Sequence, residues 1–341
     1  MIEKFIKNPL TLKRWKLFKS RKTSWISLWV FGFFLFLSLT AELWSNNKPL
    51  ILYYQNSLYF PVLKTYSPKT LGLKDEFVIN YKDLKLTEKD WALWPIIKWS
   101  PLESNLNIKN FPSSPSKKNW LGTDDRGRDL LSRLLYGYRY SIGFALCVWI
   151  LSYLIGCILG ALMGYLGGLF DLTSQRIIEI IEALPSLIIL ITLSTVIGRS
   201  FIFMILFVSC FSWVGISFYM RAEFLRLRKR AFVEASRALG RSHLNVMLKH
   251  IFPNALTPII TFSPFALAGL IGFLAILDYL GFGLMPPTPS WGELLNQAEK
   301  NLTIAWWLTV FPSLCLFSTL LTLTFIGNGM RDSFDPKEQA K

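Results

Sequence analysis

Charge is scarce in this sequence. Of 341 residues only 17% are charged, against about 25% in average soluble domains. Histidine is scarcer still, with His243 and His250 alone. Two imidazoles without a third ligand make a poor metal site, and no HExxH occurs. The four cysteines (Cys147, Cys157, Cys210, Cys315) form no CxxC and all fall in apolar runs, so they read as small buried hydrophobes. No GxxxxGK[ST] loop is present, which removes the usual cradle for nucleotide phosphates. No GxSxG elbow accompanies a histidine within the apolar segments, which disfavours an intramembrane serine hydrolase. What is abundant is apolar surface: 52% hydrophobic and 15% aromatic residues, with a mean hydropathy of +0.37. Disorder, collagen, coiled coil and a small disulfide scaffold are excluded by that balance. An all-α polytopic membrane protein remains.

The formal net charge is +15, and its placement argues against nucleic acid, because no recognition module interleaves the basic residues with aromatics. Eight basic residues crowd the first 22 positions (Lys4, Lys7, Lys13, Arg14, Lys16, Lys19, Arg21, Lys22), and eight more lie from Arg221 to Lys249. Both blocks abut apolar segments, as cytoplasmic flanks of membrane helices do. Six segments are long enough to cross a bilayer, which takes about 20 residues: 25–43, 141–163, 177–197, 201–220, 255–277 and 304–326. The second, fourth, fifth and sixth hold no charged residue. The first has a long basic flank and no small-residue cleavage site, so it reads as an anchor and not as a signal peptide.

Loops 198–200 and 278–303 carry one basic residue each, Arg199 and Lys300. The basic bias therefore puts both termini in the cytoplasm. The expected organisation is a basic cytoplasmic arm (1–24), a first transmembrane helix (25–43), a periplasmic segment (44–139), a five-helix core (140–330) and a cytoplasmic tail (331–341). Within the core, loop 221–254 faces the cytoplasm. Gly156, Gly160 and Gly164 recur every four residues, giving a groove that admits a neighbouring backbone. Pro185, Pro258, Pro264 and Pro312 sit within spans, where kinks are tolerated. The segment 45–119 is rich in proline and aromatics, is too small for more than a marginal core, and is expected to pack on the outer end of the bundle.

Loop 221–254 reads RAEFLRLRKRAFVEASRALGRSHLNVMLKHIFPN. Residues 221–238 are expected to be helical; Gly240 interrupts, a second helical stretch follows from about 244 to 252, and Pro253 marks the approach to the next span. A bent pair of this kind suits docking into a groove on a partner. "EASRALG" followed by "HIFPNA" resembles the EAA motif of ABC importer permeases. Glu234 and Ala235 are followed by Gly240 six residues after the glutamate and Pro253 nineteen after it, with Ser236 where a second alanine is commoner. Further stretches are similar to the C-type half of dipeptide and oligopeptide permeases: "NWLGTDDRGRDLLSRLLYGYRYSI" (119–142), "GYLGGLFD" (164–171), "ALPSL" (183–187), "LGFGLMPPTPSWGELL" (280–295) and "RDSFDP" (331–336). The long insertion, with "RAEFLR" and "LDYLGFGL", resembles the Yej-type branch.

That resemblance implies the type I importer permease fold, with a periplasmic insertion between helices 1 and 2. It implies a non-catalytic transport subunit in the bacterial inner membrane. Its partners would be a second six-span permease, an ABC ATPase, a periplasmic solute-binding protein, a peptide substrate and the lipid bilayer, without nucleic acid. This chain would hold no cofactor, ATP and Mg being bound by the ATPase. Glu234, Ala235, Ser236, Gly240 and Pro253 would couple ATPase to permease. The intramembrane acids Glu179, Glu182 and Asp278 are candidates to line the translocation path, or else they sit paired near the interface, Arg176 being in reach. The rival reading is a proton-coupled secondary transporter. It would use such carboxylates, but its usual inverted repeat is not visible.

Overall fold

In a computed structural model, residues 8–73, 77–84 and 86–335 are described. Lys4 and Lys7 of the basic arm, and Pro336 with the rest of the tail, lie outside them. Among the described residues five helices are long and apolar enough to cross a membrane, and a bent pair supplies a sixth if it counts as one span.

The chain opens with α1 (Pro9–Ser20), started by the Asn8 side chain, which accepts from the Leu10 N–H, and by Pro9 in the first turn. α2 (Lys22–Leu39) follows. The expected first span, 25–43, is interrupted at Thr40, and α3 (Ala41–Trp44) is a separate turn. The Thr40 hydroxyl donates to the Phe36 carbonyl at 2.7 Å and accepts from Trp44 Nε1 at 2.8 Å, which fixes that break. Next comes a small sheet that the helical reading of the sequence did not anticipate. Strands β1 (Ile51–Tyr54), β2 (Ser57–Tyr59) and β3 (Trp91–Leu93) pair antiparallel in the order β2-β1-β3. The β1–β2 turn is Gln55–Asn56, both at positive φ, as a two-residue hairpin requires. Leu52, Leu71 and Tyr81 form its core.

The core begins with α4 (Leu130–Leu166), 37 residues long. It starts eleven residues before the expected span at 141, because Arg139 ends the apolar run without ending the helix. The Asp129 side chain caps it by accepting the Ser132 N–H at 2.8 Å, and Leu130, Leu134 and Tyr138 bury one face. The third span was expected to be one helix, 177–197. Two helices are found instead, α5 (Gly168–Ala183) and α6 (Ser186–Ile197), bent by 69°. Pro185 has no N–H to continue the ladder and pushes Leu184 into extended backbone (φ −79°, ψ 130°).

α7 (Phe201–Leu227) lies along α4 in the same direction. The two helices touch through glycine. A Cβ on Gly156 would meet the Trp213 carbonyl and Ile216; on Gly160, the Ser217 carbonyl and Met220; on Gly164, the Arg221 carbonyl and Phe224. The four-residue glycine period thus matches a four-residue carbonyl period on the neighbour. α10 (Thr257–Tyr279) packs on α4, and α12 (Trp306–Phe334) packs on α10 and α2. Ser24 of α2 donates to the Phe325 carbonyl of α12 at 2.8 Å. α11 (Trp291–Lys300) closes the sheet end of the bundle, where Ser290 caps it. The remaining short helices, α8 (Ala231–Ala238) and α9 (His243–Asn245), lie at the opposite end of α4.

Gly160→Leu is expected to lower the thermal unfolding midpoint in detergent, because an overpacked contact costs about 1–3 kcal/mol. Gly143→Ala and Gly215→Ala, where a Cβ meets nothing within 4 Å, are expected to leave the midpoint unchanged. Equal midpoints for all three variants would show that the glycines do not set the approach.

Candidate functional site

Loop 221–254 is not the single helix expected over 221–238. α7 stops at Leu227, Arg228–Arg230 turn, and α8 begins anew at Ala231. The Arg228 guanidinium reaches back to the Tyr165 carbonyl at 3.1 Å, which holds the turn against the end of α4. Gly240 then has φ +73° with open space around it, so the turn needs glycine for its backbone and not for lack of room. α9 runs on as a π-helical turn, Val246–Ile251, and Phe252–Asn254 form a 3-10 turn leading to α10.

The loop sits on the ends of α4 and α7. Val233, Val246 and Ile251 are buried with Tyr165, Met220 and Phe224. Tyr165 also carries polar ties: its hydroxyl lies 2.8 Å from His243 Nδ1, and the Arg237 guanidinium stands 5.0 Å from its ring centre. Of the expected coupling residues, Glu234, Ala235, Gly240 and Pro253 are exposed, while Ser236 is buried, where a small side chain fits. Phe232, Leu239, Leu244 and Leu248 are exposed beside them, an apolar surface set among charges. His243 and His250 take separate partners: His250 Nε2 lies 2.9 Å from Arg241. Nearby, Arg221 of α7 holds Asp171 of α5 through two bonds, of 2.5 and 2.6 Å.

The three candidate path acids do not share an environment. Glu179 pairs with Arg176 at 2.6 Å on the exposed face of α5. Glu182 is exposed on the same helix. Asp278 is buried at the end of α10: Ser290 Oγ donates to one oxygen and the Leu284 N–H to the other, at 2.6 Å. This carboxylate organises the loop between α10 and α11. A cavity of about 420 Å³ does open between α4, α6, α7 and α10, lined by Ser152, Tyr153, Ser186, Phe207, Ser212 and Phe273 among others. It contains hydroxyls and aromatic faces and no charge.

At the sheet end lies a buried ionic cluster that no single sequence motif exposes. Arg128 Nε donates to Asp124 Oδ2 at 2.6 Å, and its Nη2 donates to Glu293 Oε1 at 3.2 Å. Arg133, fully buried, donates to the other oxygen of Glu293 and to the carbonyls of Pro101 and Pro287, at 3.1 and 3.3 Å. Asp124 Oδ1 accepts the Arg126 and Arg128 N–H groups. Two positive and two negative groups are thereby neutralised. Beside them Asp129 is held above the ordinary carboxylate range by burial, with the Ser132 N–H and the Asn119 amide pulling it down. The stretches 119–142 and 280–295, more than a hundred residues apart, meet in this cluster.

Several apolar spans and a structured basic loop seated on the end of two close-packed helices define an integral membrane protein. Residues 156–339 match the family described as binding-protein-dependent transport system inner membrane component. The chain is 40% identical over 337 residues to the inner membrane ABC transporter permease protein YejE of Escherichia coli (strain K12), covering 97% of this chain and 98% of that protein. It is 36% identical over 360 residues to the peptidoglycan transport system permease protein YejE of Agrobacterium fabrum, covering 97% and 94%. It is 35% identical over 237 residues to the oligopeptide transport system permease protein OppC of Haemophilus influenzae, covering 70% and 76%. An inward-facing MetNI methionine ABC transporter structure aligns with 60% of this chain and 97% of that one, at 19% identity and a TM-score of 0.46. The chain belongs to the binding-protein-dependent inner-membrane permease family of ABC importers, and its resemblance to the Yej-type branch extends over nearly its whole length.

Arg133→Met alone is expected to destabilise by about 3–5 kcal/mol, because it leaves Asp124 and Glu293 with Arg128 as their one buried counter-charge. Arg133→Met with Glu293→Leu is expected to recover a large part of that loss, Asp124 and Arg128 still balancing each other. Thermal unfolding in detergent checks both. A double variant no more stable than the single would show that the cluster is not held by charge balance.

Proposed function

We propose that this chain is the permease subunit of an ATP-driven importer that moves peptides or peptide-like molecules from periplasm to cytoplasm by alternating access. The observation that carries the reading is the exposed, bent loop seated on α4 and α7. A partner closing on Glu234, Ala235 and the turn at Gly240 would push directly on the two helices that touch most intimately. The basic bias of the arm and of this loop supports a cytoplasmic location for both termini and for the loop. The sheet end then faces the periplasm. ATP and Mg would be bound by the ATPase, which this loop would couple through Glu234, Ala235, Ser236, Gly240 and Pro253. A second six-span permease would complete the pathway, and a solute-binding protein would deliver substrate at the sheet end.

A peptide-type substrate is supported by what the relatives are called: an oligopeptide permease, a peptidoglycan transport permease and a glutathione permease. The uncharged cavity between α4, α6, α7 and α10 would suit the side chains of such a substrate on its way through. Of the intramembrane acids, Glu182 is the one that stays exposed with no ion pair among the described residues, so it is the acid we place along the path.

Gly240→Asp is expected to abolish uptake of a radiolabelled peptide while leaving the subunit inserted, because it puts a carboxylate on the exposed turn that the ATPase would meet and loses the glycine at φ +73°. Wild-type uptake in this variant would overturn the coupling role. Uptake that stops when the proton gradient is collapsed while ATP stays high would overturn the ATP-driven reading in favour of secondary transport.

A further inference from the structure

A cavity of about 430 Å³ opens at the sheet end, against the start of α4. Ile96, Lys98, Trp99, Lys117, Lys118 and Trp120 line most of it. Two further lining groups are already engaged. Lys82 is bound to Glu103 at 2.7 Å and stands 3.6 Å above the Trp99 ring. Asp129, buried in the wall, accepts bonds from Asn119 and Ser132. Lys98, Lys117 and Lys118 are all exposed, and none pairs with a carboxylate of the described residues, although Lys98 Nζ stands 5.5 Å from the centre of the Trp94 ring. Trp99 Nε1 donates to the Lys118 carbonyl at 2.8 Å, so the Lys117–Lys118 backbone is fixed beside the indole.

Two rim residues are apolar and open, Ile96 at 60% and Trp120 at 55% exposure. Segment 45–119 as a whole carries eleven lysines against six acidic residues. Such a surface attracts a partner that offers a carboxylate next to an apolar side chain. Its height argues for a protein over a lipid. Leu130 starts α4 eleven residues before the uncharged stretch at 141. That is about 16 Å along a helix axis, and the headgroup layer is only about 5–8 Å thick.

We propose that this cavity is a docking site for an acidic loop of the binding protein, with Lys98, Lys117 and Lys118 taking its carboxylates and Trp120 its apolar neighbour. This rests on the importer reading above. The test is ATPase activity of the whole complex in proteoliposomes, titrated with the purified binding protein of the same system. Charge reversal, Lys98→Glu with Lys117→Glu and Lys118→Glu, is expected to raise the half-saturating binding-protein concentration at least tenfold. Basal ATPase activity stays unchanged, the salt dependence becomes shallower, and the triple arginine variant behaves as wild type. A wild-type complex that responds to the binding protein, with a charge-reversed complex that responds at the same concentration, removes the docking site alone. A shift that follows the anionic phospholipid content of the vesicles reassigns the cavity to lipid and overturns the proposal. A wild-type complex whose ATPase ignores the binding protein removes the importer reading and the docking site together.

Discussion

The close approach of α4 and α7 is the contact on which the rest of the chain is arranged. In a bilayer no hydrophobic force drives two apolar helices together, so packing must come from fit. Glycines at 156, 160 and 164 supply it by letting the α7 carbonyls of Trp213, Ser217 and Arg221 lie where side chains would otherwise stand. The register this imposes runs to the end of the helices. Tyr165 follows directly on Gly164, Phe224 faces it, and both form the seat of loop 221–254. The loop is thus mounted on a unit whose two halves cannot slide past one another without a backbone clash.

The two ends of this unit are finished in different ways. At the loop end the polar ties are few and part-buried: Tyr165 to His243, Arg228 to the Tyr165 carbonyl, Arg221 to Asp171. At the sheet end the charges are buried and fully matched, with Arg133 and Arg128 sharing Glu293 and Asp124. Buried charges contribute little net stability, but removing one partner is costly. The cluster therefore holds the α10–α11 loop against the start of α4, and Asp278 fixes the other edge of the same loop. The sheet end is thus firmly tied and the loop end more lightly.

Much of this was legible in order along the chain. Long uncharged runs give spans, because hydrocarbon tolerates few charges, and the glycine period gave the groove before its partner was known. The turn at Gly240 was visible as an interruption of a helical pattern. Other features were hidden for physical reasons. Apolar periodicity cannot tell one straight helix from α5 and α6, since the bend turns on the backbone of Leu184 before Pro185. The helix start at Leu130 was masked by Arg139, which the periodic pattern treats as an end although it is bound to Glu42. The strands around Leu52 are three or four residues long, too short for alternation to show.

By itself the sequence determined that this is a multi-span membrane chain, which loop is basic, and, by motif, which family it belongs to; these follow from composition and local spacing, which need no knowledge of neighbours. Only the tertiary structure decided which carboxylates are available. Glu179, Glu182 and Asp278 look alike as acids in apolar surroundings, yet one is paired, one is open and one is buried at the end of α10. It also decided that Arg133 and Glu293 meet, and that three lysines share a cavity with an exposed tryptophan. A charge acquires its role from the groups placed around it, and that placement is made by packing between segments far apart in the chain.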